Sequence, residues 1–116
     1  MVISRIIQRL RNRADRSALP AELLGRWISD PNDQEGIDAF GKVSLEFVSD
    51  GSLKYTIHTD AKALIMLLSC RVEDGVLVSN QASAPGEERT PYSIDVDGKL
   101  TMSFQGRHAV YIRSNT

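Results

Sequence analysis

Three junctions of the chain carry the same dipeptide, Asp50-Gly51, Asp74-Gly75 and Asp97-Gly98, and each lies between runs in which apolar and polar residues alternate. Asp-Gly between alternating runs is the strongest short-range hairpin signal, because glycine reaches the left-handed conformations that tight antiparallel turns require. The flanking pattern also sets the loop length. A three-residue loop Ser49-Asp50-Gly51 pairs Phe47 with Leu53 and Leu45 with Tyr55, keeping apolar residues on one face. A two-residue loop would set Phe47 against Lys54. The third junction behaves alike: Val96-Asp97-Gly98 pairs Ile94 with Leu100 and Tyr92 with Met102. Both predict a type I turn followed by a left-handed glycine and a bulge. The second junction does not discriminate.

From Trp27 onward the runs "KVSLEFVS", "SLKYTIHT", "LIMLLSCRV", "VLVSN", "TPYSIDV", "KLTMSF" and "HAVYIR", with a short strand at Trp27–Ser29, make eight strands. In a chain whose strands follow one another, alternate turns fall at the same end, so the three Asp-Gly turns share one end. Longer connections, 30–41, about 59–63 and 80–89, together with Gln105-Gly106, fall at the other. An eight-stranded antiparallel up-and-down barrel satisfies this pattern and leaves no sheet edge to protect. On β-parity the interior collects residues such as Val43, Phe47, Tyr55, Cys70, Tyr92, Phe104, Val110 and Ile112. Barrels of this size either fill themselves with side chains or hold one small ligand, and both outcomes remain open.

Residues 2–16 break this regime. Ile3, Ile6, Ile7, Leu10 and Ala14 form an apolar stripe at helical spacing, beside a stripe of Arg5, Arg9, Arg13 and Arg16. The chain therefore divides into an N-terminal amphipathic helix and linker, 1–20, and a barrel, 21–116. The net charge of −1 hides this division. Five arginines against Asp15 put +4 on residues 1–16, and the remainder carries −5. An acidic body gives nucleic acid no positive footprint. The helix offers its stripe to the outside of its own barrel, where Ile65, Leu67 and Leu77 are expected to form an apolar outer patch, to a protein partner or a second copy in a homodimer, or to an anionic membrane face. No segment has the roughly 20 apolar residues of a membrane span. One cysteine, Cys70, excludes an internal disulfide and suits a cytoplasmic, reducing compartment.

Gly25-Arg26-Trp27 at the first strand resembles the Gly-x-Trp signature that opens lipocalin-like (calycin) barrels. The family's last strand ends near an arginine that packs over this tryptophan, and "AVYIRS" supplies Arg113 at the matching place. The resemblance implies that Trp27 and Arg113 form a structural plug at the tight end, and that the open end can take an apolar molecule. The chain departs from typical lipocalins in its shortness, in lacking secretion signal and disulfides, and in carrying its helix in front.

The chemistry-bearing residues are few. The segment "DPNDQEGIDAFG" reads as a short helix beginning at Asp30-Pro31, with Ile37 and Phe40 on one face, either plugging the mouth or closing over a ligand. Tyr55, Tyr92, Phe104, Ile37, Phe40 and His108 are the candidate lining of a small apolar or aromatic ligand site. His108 and His58 have no partners at metal-ligand spacing, Cys70 has no basic neighbour on its face, and no nucleophile–base pair or phosphate loop occurs. The expectation is a non-enzymatic binding module without cofactor. The alternative is a protein-interaction module, an inhibitor or accessory subunit, with a filled barrel.

Overall fold

A computed structural model describes residues 19–114. The expected helix over 2–16 and its partners lie outside these residues. The chain forms β1 (Gly25–Ser29), helix α1 (Gln34–Phe40), β2 (Lys42–Phe47), β3 (Ser52–His58), β4 (Ala63–Glu73), β5 (Val76–Gln81), β6 (Ala84–Ile94), β7 (Leu100–Phe104) and β8 (Arg107–Arg113). The eight strands close into one antiparallel barrel, each pairing with the next in the chain and β8 returning to β1.

The turn chemistry explains the register. Phe47 pairs with Leu53 and Leu45 with Tyr55, and Ile94 pairs with Leu100 and Tyr92 with Met102, as the three-residue loops require. In each, glycine takes the left-handed position, Gly51 at φ 92° and Gly98 at φ 81°, behind a turn closed by Gly51 N–H to the Val48 carbonyl and Gly98 N–H to the Asp95 carbonyl. The second junction is instead a two-residue turn with Asp74 at φ 50° and Gly75 at φ 76°, and it pairs Val72 with Leu77 and Cys70 with Ser79.

Three expectations are corrected. The segment 80–89 is not a long exposed loop: β5 and β6 continue through it, joined by residues 82 and 83 alone. Leu77, expected on an outer apolar patch with Ile65 and Leu67, faces the core at 2% exposure, while Ile65 and Leu67 stay exposed. On β8 the inward residues are Ala109 and Tyr111, not Val110 and Ile112. The two-residue turn at Gln105-Gly106 pairs Phe104 with Arg107, and hence Met102 with Ala109 and Leu100 with Tyr111. Four successive apolar residues, Ala109 to Ile112, carry no alternation from which parity could be read.

The tight end is closed from below. The segment after Leu19 makes one turn, Leu23 N–H to the Pro20 carbonyl and Leu24 N–H to the Ala21 carbonyl. It drives Leu19 and Leu23 into the core, with Leu23 at 1% exposure. The core thus begins before position 21, within the expected linker. Trp27 is fully buried above these leucines, its indole N–H donating to the Leu23 carbonyl at 2.9 Å. The Arg113 guanidinium lies 4.1 Å from the Trp27 ring centroid and donates to the carbonyls of Leu24 and Glu22. One side chain therefore locks the first strand, the last strand and the entering turn together.

At the opposite end α1 lies against β8 and β2. Its N-cap is Asp33, three residues later than expected, because Asp30 is engaged elsewhere. The Asp30 carboxylate accepts from Asn32 N–H and from Lys99 Nζ, both at 2.9 Å. The Asn32 hydrogen bond first and the lysine second hold its carboxyl below the usual range. One Asp33 oxygen accepts from Gly36 N–H at 3.1 Å, and the other accepts from Val110 N–H at 2.8 Å. The helix cap thereby satisfies a strand donor beyond the reach of β1.

Candidate functional site

Inward side chains are not evenly sized around the barrel. Val43, Leu45, Phe47, Leu100, Met102 and Tyr111 are large and buried. The inward positions of β5 and β6 beyond Leu77 are Ser79, Gln81, Ala84, Gly86, Glu88 and Thr90, which are small or polar. A wall of short side chains facing a wall of long ones leaves a gap, and a cavity of about 300 Å³ lies there. Leu53, Leu77 and Met102 form its deep part, Tyr55, Met66, Leu68 and Phe104 its walls, and Gln81, Ala84 and Glu88 lie toward its mouth. That volume falls at the small end of the range for small-molecule sites, about 300–1,000 Å³. Long β4 and β6, 11 residues each, carry the mouth away from the Asp-Gly end.

The cavity is apolar with few polar groups. Tyr55, Ser79, Gln81, Glu88 and Thr90 are the polar residues of its lining, and Thr90 is buried beside Leu77. Burial pushes the Tyr55 phenol above its ordinary value, so it is a neutral hydrogen-bonding group at any physiological pH. Glu88 is the one charged residue of the lining. On β8, Tyr111 is buried at 1% exposure. Among the described residues its hydroxyl is the one buried side-chain polar atom without a hydrogen-bond partner. The Tyr55 hydroxyl is within electrostatic reach of it, but the pair does not close a hydrogen bond. An unsatisfied buried hydroxyl costs about 1–3 kcal/mol. Burial, ahead of Tyr55 and Asp33, raises the Tyr111 phenol strongly.

The expected site residues are dispersed. Tyr55 and Phe104 line the cavity. Phe40 reaches the same region from α1, its ring 4.9 Å from that of Phe104 at 55°, so the helix contributes an aromatic side chain at the mouth. Tyr92 is half-buried against the core but outside the lining, and Ile37 is half-buried on α1. His108 is on the outer face, exposed, its Nδ1 2.8 Å from Ser103 Oγ. Parity explains this: His108 alternates with inward Ala109. His58, also outward and exposed, meets Ser44 Oγ at 2.7 Å through Nε2. The alternation of the sequence places Met66 inward but does not single out Ser79, Thr90 or Tyr111. The Asp74-Gly75 and Gln105-Gly106 turns, taken as two-residue loops, would have placed Ser79 and Tyr111 inward.

Cys70 is buried, and burial pushes its thiol up to about 12, which removes it as a nucleophile at neutral pH. Among the described residues no three metal-ligating side chains cluster, and no helix is long and apolar enough to cross a membrane. Arg71 bridges Glu73 and Glu87, and Glu73 also meets Arg89, on the outer face of β4–β6. Val78 lies between Arg71 and Arg89 in register and is buried at 1% exposure. This lattice is structural: long charged side chains cover apolar surface with their stems.

Compared with protein-family models, with curated proteins and with solved structures, the chain matches none.

Proposed function

We propose that this chain is a lipocalin-like, non-enzymatic binding module whose barrel holds a small apolar or aromatic ligand. The observation that carries the reading is the cavity of about 300 Å³ running inward from the end opposite the Asp-Gly turns. A barrel serving only as a rigid scaffold gains stability from every methylene added inside. Here the inward positions of β5 and β6 beyond Leu77 hold serine, alanine, glycine and threonine, with only Gln81 and Glu88 longer and both polar. Phe40 and Phe104 flank the mouth and give α1 the position of a cover. The plugged end, with Trp27 under Arg113, supports the lipocalin-like assignment, and the single free thiol suits a reducing cytoplasm.

Exposed Ile65 and Leu67 on the outer face of β4 favour a second reading, a docking surface for protein. The two are separated with the neutral fluorophore N-phenyl-1-naphthylamine. Ser79→Phe fills the cavity and should abolish the fluorescence gain while leaving the melting temperature intact. Leu67→Ser thins the outer patch and should leave the gain unchanged. The opposite pattern places the dye on the outer face and defeats the ligand reading.

A further inference from the structure

Among the described residues, β5 ends at Gln81, opposite Leu68, so residues 63–67 of β4 pair with β3 on one side and with nothing on the other. β6 pairs with β7 only over residues 92–94, which leaves a second unpaired edge over 84–91. We infer that the β4 edge is a self-association site, where the strand adds antiparallel to the same strand of a second copy of this chain. This deepens the docking reading by naming the partner, and it stands whether or not the cavity carries a ligand.

The direction of the free backbone groups follows from one bond. Cys70 N–H donates at 2.7 Å to the carbonyl of Gly51, in the turn that enters β3. Backbone groups alternate in side along a strand, so the even-numbered residues of β4 face β3, and Ala63, Ile65 and Leu67 point theirs away from it. The two edges are treated differently. On β6, Pro91 lacks the N–H that would extend the ladder to β7, and Pro85, Glu87 and Arg89 lie along the rest. Proline and charge on an edge refuse further strands. On β4 the segment "ALIMLLS" has neither. Its apolar residues are exposed on both faces, Leu64 at 43% on the inner one, Ile65 at 53% and Leu67 at 69% on the outer. A helix laid on the outer face would cover Ile65 and Leu67, but it would give the edge no hydrogen bond and leave Leu64 in water. A strand answers all three.

A second copy brings such a strand by construction. Centred on Ile65, an antiparallel pair sets Ile65 against the partner's Ile65, Ala63 against the partner's Leu67, and Leu64 against the partner's Met66. Every cross-strand contact is apolar, and the arrangement is two-fold symmetric. Because the other edge is guarded, association closes at the dimer. A contact this short lies below the ~1,200–2,000 Å² of a standard interface, so a reversible monomer–dimer equilibrium is expected in place of a permanent pair.

Sedimentation velocity of the full chain, from micromolar to millimolar concentration, should show dimers and nothing larger. The Ile65 and Leu67 amides should gain hydrogen-exchange protection in the concentrated sample. Ile65→Lys sets two ammonium groups face to face on the symmetry axis and should weaken the dimer about a hundredfold or more. Ile65→Pro removes an N–H that β3 does not use, so the barrel should keep its circular dichroism and lose the dimer. If that variant does not fold, Ile65→Lys and the amide protection decide. A monomer at every concentration, open-ended oligomers, or a dimer that survives Ile65→Lys would overturn the inference. A dimer lost in Ile65→Lys but formed without protection of the Ile65 and Leu67 amides would be face packing, and would overturn the strand pairing. Each of these failures leaves the carrier reading standing, because neither residue lines the cavity.

Discussion

Truncating Trp27 to alanine tests the plug directly. The side chain is 1% exposed, its indole N–H is bonded to the Leu23 carbonyl at 2.9 Å, and the Arg113 guanidinium lies 4.1 Å from its ring. Truncations of a buried aromatic cost about 3–5 kcal/mol from lost transfer energy and the cavity left behind. The Leu23 carbonyl, stripped of its donor in a dry site, adds about 1 kcal/mol. The stacked guanidinium adds about 0.5 kcal/mol, because its outer side remains hydrated. The expected loss is therefore about 4.5–6.5 kcal/mol, against a typical domain stability of about 5–15 kcal/mol. With a urea slope of about 1–2 kcal/mol/M, the midpoint should fall by about 2 M or more, and the variant sits close to unfolding without denaturant. Trp27→Phe keeps most of the buried area and loses the indole bond, so about 1–2 kcal/mol is expected. Unfolding should be followed by far-ultraviolet circular dichroism, since the mutation removes the fluorescent reporter. A midpoint shift below about 0.5 M for the alanine variant would show that the barrel does not depend on its plug, and would refute the reasoning.

Two further outcomes follow from particular contacts. In Gly36→Ala the added methyl would meet Asp33 Oδ2 at 2.1 Å and the Ala109 Cα at 3.2 Å; the cap must move off the helix and off Val110, and thermal melting should show a loss of about 1–3 kcal/mol, whereas an unchanged melt would mean that α1 is not fixed by its cap. The Cys70 thiol, pushed up to about 12 from an ordinary 9.0, should resist iodoacetamide at pH 8 in the native protein and react at once in urea. A group whose folded value is raised costs nothing below its unfolded value, so stability should stay flat through pH 8 and decline only as the pH rises above about 9, where the unfolded thiol ionises first. Cys70→Ser, lacking that titration, should show the smaller alkaline decline, and an identical pH profile would exclude the thiol as its source.

The strand count, the antiparallel closure and two of the hairpin registers were legible because each rests on local chemistry. An Asp-Gly turn and a period of two in apolar residues act within ten residues of chain, and they agree with each other at Phe47–Leu53 and Ile94–Leu100. The errors arose where that agreement was missing. "AVYI" is apolar at four successive positions of β8, buried Ala109 and Tyr111 and half-buried Val110 and Ile112 alike, so alternation gave no parity. "QASAPGEERT" is polar and carries Pro85 and Gly86, which read as a loop. It folds as strand because the short turn after Gln81 and the ladder to β5 fix it from both sides.

That last misreading and the cavity have one cause. A strand that lines a void need not carry large apolar residues inward, so its sequence loses the pattern by which strands are recognised. Ser79, Gln81, Ala84, Gly86 and Glu88 look like loop residues because nothing large is packed against them. In a filled barrel the inward positions of β5 and β6 would alternate as regularly as Val43, Leu45 and Phe47 do on β2. The loss of alternation in β5–β6, flanked by strands that keep it, is therefore the mark of the cavity: the sequence is least strand-like where the barrel is emptiest. An occupant that fills the cavity would supply the missing apolar contacts, so it should raise the barrel's stability by RT ln(1 + [L]/Kd). It should also protect the β5–β6 amides most in hydrogen exchange, because the inward positions of those strands beyond Leu77 carry no large apolar side chain. Uniform protection around the barrel, or protection confined to α1, would break the link between the weak pattern and the binding site.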